Sequence, residues 1–147
     1  INYVLNYKLA QCKKLNIPCS FQITTALINM SESDLILILS NLLDNAIEAE
    51  KDLPSPDIKV IIQKQGRYIQ FMIQNRVTHS VLEKNPSLLT SKRDSKYHGY
   101  GIPNTRDLLF KHCGMVDFYE LCGYFICTVL FPISDTQTQP VTKNDKV

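Results

Sequence analysis

Apolar positions along the chain recur with two periods, and the changes from one to the other mark out its elements. Over residues 1–16, Val4, Leu5, Leu9 and Leu15, with Tyr3 and Tyr7 between them, fall at roughly helical spacing, and Pro18 is placed to end the run. CSFQI (19–23) reads as a short strand. In SESD (31–34), Ser31 is placed to cap a helix and Asp34 to complete an acidic first turn. Glu32 to Glu50 predicts the strongest helix of the chain: it is rich in Leu, Ile and Ala, contains no Gly or Pro, and stops before Pro54 and Pro56. DIKVIIQKQ (57–65) and YIQFMIQN (68–75) predict two strands. In the second, Ile69, Phe71 and Ile73 alternate with Gln70, Met72 and Gln74, the period of a half-buried strand. Gly66-Arg67 suits the tight turn between them.

Residues 76–98 show no apolar period and are rich in Ser, Thr, Lys and Asn, which predicts a long loop; such loops in compact domains carry function or motion. A helix is expected from Ile102 to about His112, with Gly114 as its C-terminal cap. MVDFYELC (115–122) and YFICTVLF (124–131) predict two closing strands joined through Gly123, and the polar tail 134–147 is expected to be disordered. The order of helix, strand, helix, two strands, loop, helix, two strands predicts an α/β chain forming a two-layer α/β sandwich with a mixed, largely antiparallel sheet.

Composition narrows the picture only a little. With 147 residues the chain is long enough for one domain with a continuous core, and a formal charge of +2, with the signs interspersed along it, is too small to argue for a nucleic-acid surface, so no nucleic-acid partner is expected. No apolar run reaches the length of a membrane span and no signal peptide opens the chain. It starts at Ile1 without a Met and is expected to be a piece of something longer. Five cysteines (12, 19, 113, 122 and 127) at irregular spacing, without a C-x-x-C pair, read as structural thiols, with Cys122 and Cys127 in apolar strands; this fits a reducing compartment.

Chemistry concentrates in three places. In SNLLDNAIEAE (40–50), at about 100° per residue, Asn41, Asn45 and Glu48 lie within roughly 60° of one another. Leu35, Leu39, Leu42, Leu43 and Ala46 point mostly to the opposite side. Asn competes for backbone hydrogen bonds and is a mediocre helix former, so two of them one turn apart read either as a solvated edge or as amide oxygens facing a ligand or a hard cation. In HGYGIPNTRDLLF (98–110), two glycines precede a helix start, where backbone N–H groups attract anions; a flexible hinge is the plain alternative. No third Gly and no G-K-[ST] follows, which excludes the dinucleotide fingerprint and the P-loop. Lys92, Arg93 and Lys96 in TSKRDSKYH (90–98) are either solvated charges or partners for phosphates.

Taken in this order, N-x-x-x-N on a helix, a hairpin, a loop, and G-x-G opening another helix, the chain resembles the GHKL ATPases. NLLDNAIEA (41–49) is similar to the N box of histidine kinases, HGYGIPN (98–104) to their final G box, and the likeness is closest to the Agr-type peptide-pheromone kinases, over residues 1–133. The resemblance implies a Bergerat fold with a mobile ATP lid, Mg²⁺ and ATP as cofactors, and a transferase role. Carried over, Asn45 would bind the Mg²⁺ that bridges the phosphates and Asn41 would assist at the phosphates or the metal's water shell. Glu48 would reach the ribose or phosphate side. Lys92 and Arg93 would sit in the lid, His98 would position the lid or nucleotide, and Gly99 and Gly101 would let the lid fold over, with the amides of Gly101 and Ile102 donating. Asn75, in IQNRV (73–77), stands where other members carry the adenine-reading Asp; its amide oxygen can accept from the adenine amino group without the charge, and a strand-terminal Asn capping a turn is the other reading.

Asn41 occupies the position where ATP-hydrolysing members carry a water-activating Glu, and an amide has no basic site at neutral pH. That favours a kinase over an ATPase. The implied assignment is residues 1–16 as a helix leading from an upstream phosphoacceptor domain, 17–133 as the ATP-binding catalytic domain, and 134–147 as the tail. None of His79, His98 or His112 resembles the phosphoacceptor, so the chain is expected to bind ATP but not to phosphorylate itself. Its implied partners are ATP, the upstream dimerisation and phosphoacceptor domain of the same protein and, indirectly, a response regulator. The chain alone is expected to be monomeric and the full-length protein a homodimer whose cytoplasmic domain this is, behind a membrane anchor. The rival readings are a serine kinase of the anti-sigma-factor type and a degenerate GHKL domain that binds partners.

Overall fold

A computed structural model of the chain describes residues 2–25, 32–88 and 101–133. The elements are α1 (Asn2–Lys14), β1 (Cys19–Ile23), α2 (Glu32–Glu50), β2 (Ile58–Gln65), β3 (Tyr68–Arg76), α3 (Val81–Lys84), α4 (Gly101–Lys111), β4 (Met115–Leu121) and β5 (Tyr124–Pro132). The strands form one open sheet in the order β1-β2-β3-β5-β4. The β1–β2 pair is parallel, with α2 in the crossover, and the other three pairs are antiparallel. The fold class is the expected α/β layering with a mixed sheet.

Ile58, Val60 and Ile62 of β2 pair across β3 with Asn75, Ile73 and Phe71, and these pair onward with Phe125, Cys127 and Val129 of β5. That face is buried under Leu35, Ile38, Leu39, Leu42, Leu43, Ala46 and Ile47 of α2. The rings of Phe71 and Phe131 meet edge to face, 5.4 Å between centroids. On the other face Gln63 donates to Gln70 at 2.8 Å, and Gln70 is itself buried, so the polar side of β3 is more covered than its alternation predicts.

Several local expectations are corrected. α1 stops before Pro18: Asn16 adopts φ 55°, and Ile17 N–H donates to the Cys12 carbonyl at 2.9 Å while Asn16 N–H donates to that of Lys13 at 3.2 Å, the Schellman arrangement. At the end of α4 the left-handed residue is Cys113 (φ 53°), not Gly114, whose N–H donates to the Leu109 carbonyl at 2.7 Å. Gly114 is needed for a different reason: a Cβ there would meet Leu109 Cδ2 at 3.0 Å and the Phe131 ring at 3.1 Å. Cys122 lies outside β4, exposed in the turn at φ 50° beside Gly123 at φ 79°, and Cys113 is exposed too. Cys12 and Cys127 are buried as expected, and burial pushes the Cys127 thiol up to about 12. The expected loop 76–98 contains α3, a single helical turn. The cap at Ser31, the expected lid residues Lys92 and Arg93 with His98 and Gly99, and the tail lie outside the described residues.

Candidate functional site

α2 carries its apolar residues on one side and leaves a polar stripe on the other. Leu35, Leu39, Leu42, Leu43 and Ala46 are buried. Asn41 is half-buried, and Asn45 and Glu48 are exposed. Asn45 and Glu48 of the stripe therefore face solvent, and Asn41 does so in part. Two carboxylates on this stretch of the helix are paired. Lys8 of α1, itself buried, donates to Asp44 at 2.5 Å, and Lys51 donates to Glu48 at 2.8 Å. Each of these two carboxylates thus has a lysine beside it, which lessens its repulsion of an anionic ligand.

One turn beyond Asn45 on the same side of α2, Ala49 lines a cleft of about 330 Å³. Leu53 shares that side, and residues 76–81 with Lys84 and Asn85 form the opposite wall. The cleft thus lies between the end of α2 and the segment leaving β3. Asn75 is the last residue before that wall. It is buried within the strand ladder, opposite Ile58 and Phe125, and does not cap a turn. Its amide nitrogen donates to the Arg76 carbonyl at 3.1 Å, which leaves the amide oxygen as its accepting end. The structure thus brings the Asn45 side of α2 and the Asn75 end of β3 to two sides of one opening. None of Asn41, Asn45, Glu48 and Asn75 lines the cleft itself: Glu48 and Asn75 are chain neighbours of the lining residues Ala49 and Arg76, Asn45 lies one turn before Ala49, and Asn41 lies two turns before it.

Two groups that hold this opening were not singled out in the sequence. Glu50 is fully buried, and its carboxylate accepts from the backbone N–H groups of Asp57 and Arg76. It sits at the C-terminal end of α2, where the helix dipole disfavours an anion, and the two N–H donors offset that. Burial raises its pKa while those bonds oppose the rise. The available signal was its position: Leu39, Leu43, Ala46 and Glu50 fall on one helical face, so a carboxylate stands where the period calls for an apolar residue. Arg76 is braced from the far side of the sheet as well. Its guanidinium lies 5.2 Å from the Tyr124 ring centre, and Tyr124 donates to Asp57 at 2.8 Å. That bond to Asp57 raises the Tyr124 pKa.

Of the remaining candidates, Lys92, Arg93, His98 and Gly99 lie outside the described residues, and Gly101 and Ile102 open α4. His79 lines the cleft, with Nδ1 2.9 Å from the Thr78 hydroxyl, while His112 lies at the other end of α2, 2.7 Å from Asp34. Among the described residues no group of three or more His, Cys, Asp or Glu could hold a metal ion. A divalent cation here would have to take amide oxygens and ligand oxygens. The solvent-facing carbonyl of Asn45 fits such a donor set, since Mg²⁺ keeps waters and phosphate oxygens in its shell. Among the described residues, no helix is long and apolar enough to cross a membrane.

A family model described as the GHKL domain matches residues 30–132. No curated protein matches the chain in sequence. Among solved structures, a nucleotide-free catalytic domain of histidine kinase ThkA is similar with a TM-score of 0.74 and 18% identity, over 90% of this chain and 90% of that one. The histidine kinase AdeS of Acinetobacter baumannii is similar with a TM-score of 0.72 and 13% identity, over 91% of this chain and 63% of that one. The mycobacterial sensor histidine kinase MprB is similar with a TM-score of 0.69 and 16% identity, over 89% of this chain and 93% of its own. At such identities the likeness is one of fold, and the chain spans less than two thirds of AdeS.

Proposed function

The chain belongs to the GHKL domain family, and from that premise we propose that it is the ATP-holding catalytic domain of a two-component sensor histidine kinase of the Agr type. In this reading Mg-ATP lies along the exposed stripe of α2 with its base directed to the cleft beside Asn75. Asn45 holds the Mg²⁺, and Asn41 and Glu48 contact the phosphate and ribose side. The bound ion supplies charge neutralisation for the phosphates. In the same reading Lys92 and Arg93 belong to the lid, His98 positions the lid or nucleotide, and Gly99 and Gly101 let the lid fold over the phosphates, to which the amides of Gly101 and Ile102 donate. The acceptor histidine belongs to a separate upstream domain. Transfer then depends on positioning and electrostatics, as phosphoryl transfer generally does.

The observation that carries this reading is the pairing of exposed Asn45 and Glu48 and half-buried Asn41, on one side of α2, with a cleft between the end of α2 and the end of β3. Asn41 in place of a base supports transfer to another acceptor over hydrolysis. Asn75 lacks the charge of an Asp, and for that reason a partner-binding role without nucleotide is the second reading. Isothermal titration separates the two. The parent should bind ADP in the presence of Mg²⁺, and Asn45→Ala should lose most of the Mg²⁺-dependent part of that affinity. Absence of nucleotide heat from both proteins favours the scaffold.

A further inference from the structure

The outer wall of the cleft is thin. Residues 77–80 separate the cleft from a second hollow of about 270 Å³, bounded on its far side by Glu120, Leu121, Cys122 and Gly123. α3, which continues the wall, is four residues long and has no buried side chain, so apolar packing does not fix it. A wall with space on both sides stays in place only if something else holds it.

At its start Val77 N–H donates to the Gly123 carbonyl at 3.0 Å, and beyond that the hold comes from the edge strand. Glu120 of β4 lies 40 residues away in sequence, and its carboxylate takes up three donors of the wall. The Ser80 hydroxyl donates to Oε2 at 2.6 Å, Val81 N–H donates to Oε1 at 2.5 Å, and Leu82 N–H reaches the same oxygen at 3.4 Å. Ser80 Oγ in turn accepts from Glu83 N–H at 3.1 Å, so the carboxylate and the hydroxyl together satisfy the free donors of the first turn of α3. Bonds to an ionised acceptor are about twice as strong as neutral ones. β4 is paired to β5 along its length and so offers a rigid base.

We propose that Glu120 is a positioning residue of the nucleotide cleft: it clamps Ser80, Val81 and Leu82 so that residues 77–81 stand at the distance from Ala49 that a nucleobase and ribose require. The proposal rests on the nucleotide reading above. Without the clamp the wall can shift into the second hollow, and the cleft is competent only for a fraction of the time. Apparent affinity falls to that fraction of its full value, so a clamp-free wall in place about one tenth of the time weakens binding about tenfold.

The test is Mg-ADP titration of the whole chain as parent, Glu120→Ala, Glu120→Gln, Ser80→Ala and the Glu120→Ala/Ser80→Ala double variant, with hydrogen exchange of the Val81, Leu82 and Glu83 amides. Glu120→Ala should raise the dissociation constant about tenfold and expose the Val81 and Leu82 amides to fast exchange. Glu120→Gln keeps an oxygen for those amides and should restore affinity to within about twofold of the parent. The double variant should be no weaker than the worse single one, since both remove one clamp. If Glu120→Ala does not fold, Ser80→Ala leaves β4 whole and must itself weaken binding severalfold. A parent that binds while Glu120→Ala and Ser80→Ala bind equally well overturns the clamp alone. A parent that does not bind overturns the nucleotide reading and the clamp's role in it.

Discussion

Glu50 links the chemistry of single residues to the site. Its carboxylate fixes Arg76 N–H, and through it the end of β3 where Asn75 stands, to the last turn of α2. Glu50→Ala leaves two backbone donors without an acceptor, each costing about 1–3 kcal/mol, and should lower the melting temperature sharply. Its pKa is raised by burial, so the folded state binds the proton more tightly than the unfolded chain. Stability from this group is therefore fully present below the ordinary Glu value of about 4.3 and falls as pH rises through the raised value. The advantage of the parent over Glu50→Gln in thermal melts should shrink across that window; an advantage that grows with pH contradicts the assignment. On the proposed reading, Asn41 sets the outcome of the reaction. Asn41→Glu supplies a base and should raise ATP hydrolysis by roughly tenfold or more, and hydrolysis equal to the parent's would remove Asn41 from the phosphate end. The Asn41, Asn45 and Glu48 stripe was legible because helical period alone separates it from the apolar face. Glu50 was passed over because the sequence does not tell which backbone donors a core carboxylate will meet.

At the scale of elements, the strands and long helices follow from period and punctuation, and the misses cluster where local backbone geometry decides. The pattern points to Gly114 as the helix cap, yet Cys113 takes the left-handed conformation, while Gly114 is needed because a Cβ there would press on Leu109 and Phe131. Two expectations follow. Cys113→Gly relieves a conformation that costs a residue with a side chain about 1 kcal/mol and should raise the melting temperature, whereas Gly114→Ala should lower it by overpacking, at about 1–3 kcal/mol. The reverse order in melting experiments would mean that the α4 terminus is capped differently. α3 was illegible for a related reason. Its four residues have no period to read, and the carboxylate that satisfies its first turn lies on β4. The hydroxyl of Ser80 and the amides of Val81 and Leu82 hold the Glu120 pKa below its ordinary value, so the clamp is present above about 4.3 and is lost as pH falls through the lowered value. Glu50 and Glu120 thus respond to acid with opposite signs, one at each side of the cleft.

Across the whole molecule, one sheet face and α2 form a core that fixes one edge of an opening, and the segment that leaves β3 forms the other. The layering was legible because β1, α2 and β2 form a parallel crossover and each later strand pairs antiparallel. The family match spans α2 to the end of β5, the segment that contains every candidate ligand contact, while α1 stands outside it and reaches the site through Lys8 and Asp44. The account turns on Asn45 as the residue that meets the metal-bound phosphates. Crystals grown with adenylyl-imidodiphosphate and Mg²⁺ test this directly. The account predicts density for the base in the cleft bounded by Ala49 and residues 76–81, with the Asn45 amide oxygen in the coordination shell of an ion on the phosphates. Nucleotide bound away from α2, or an ion on the phosphates that Asn45 does not touch, would contradict it.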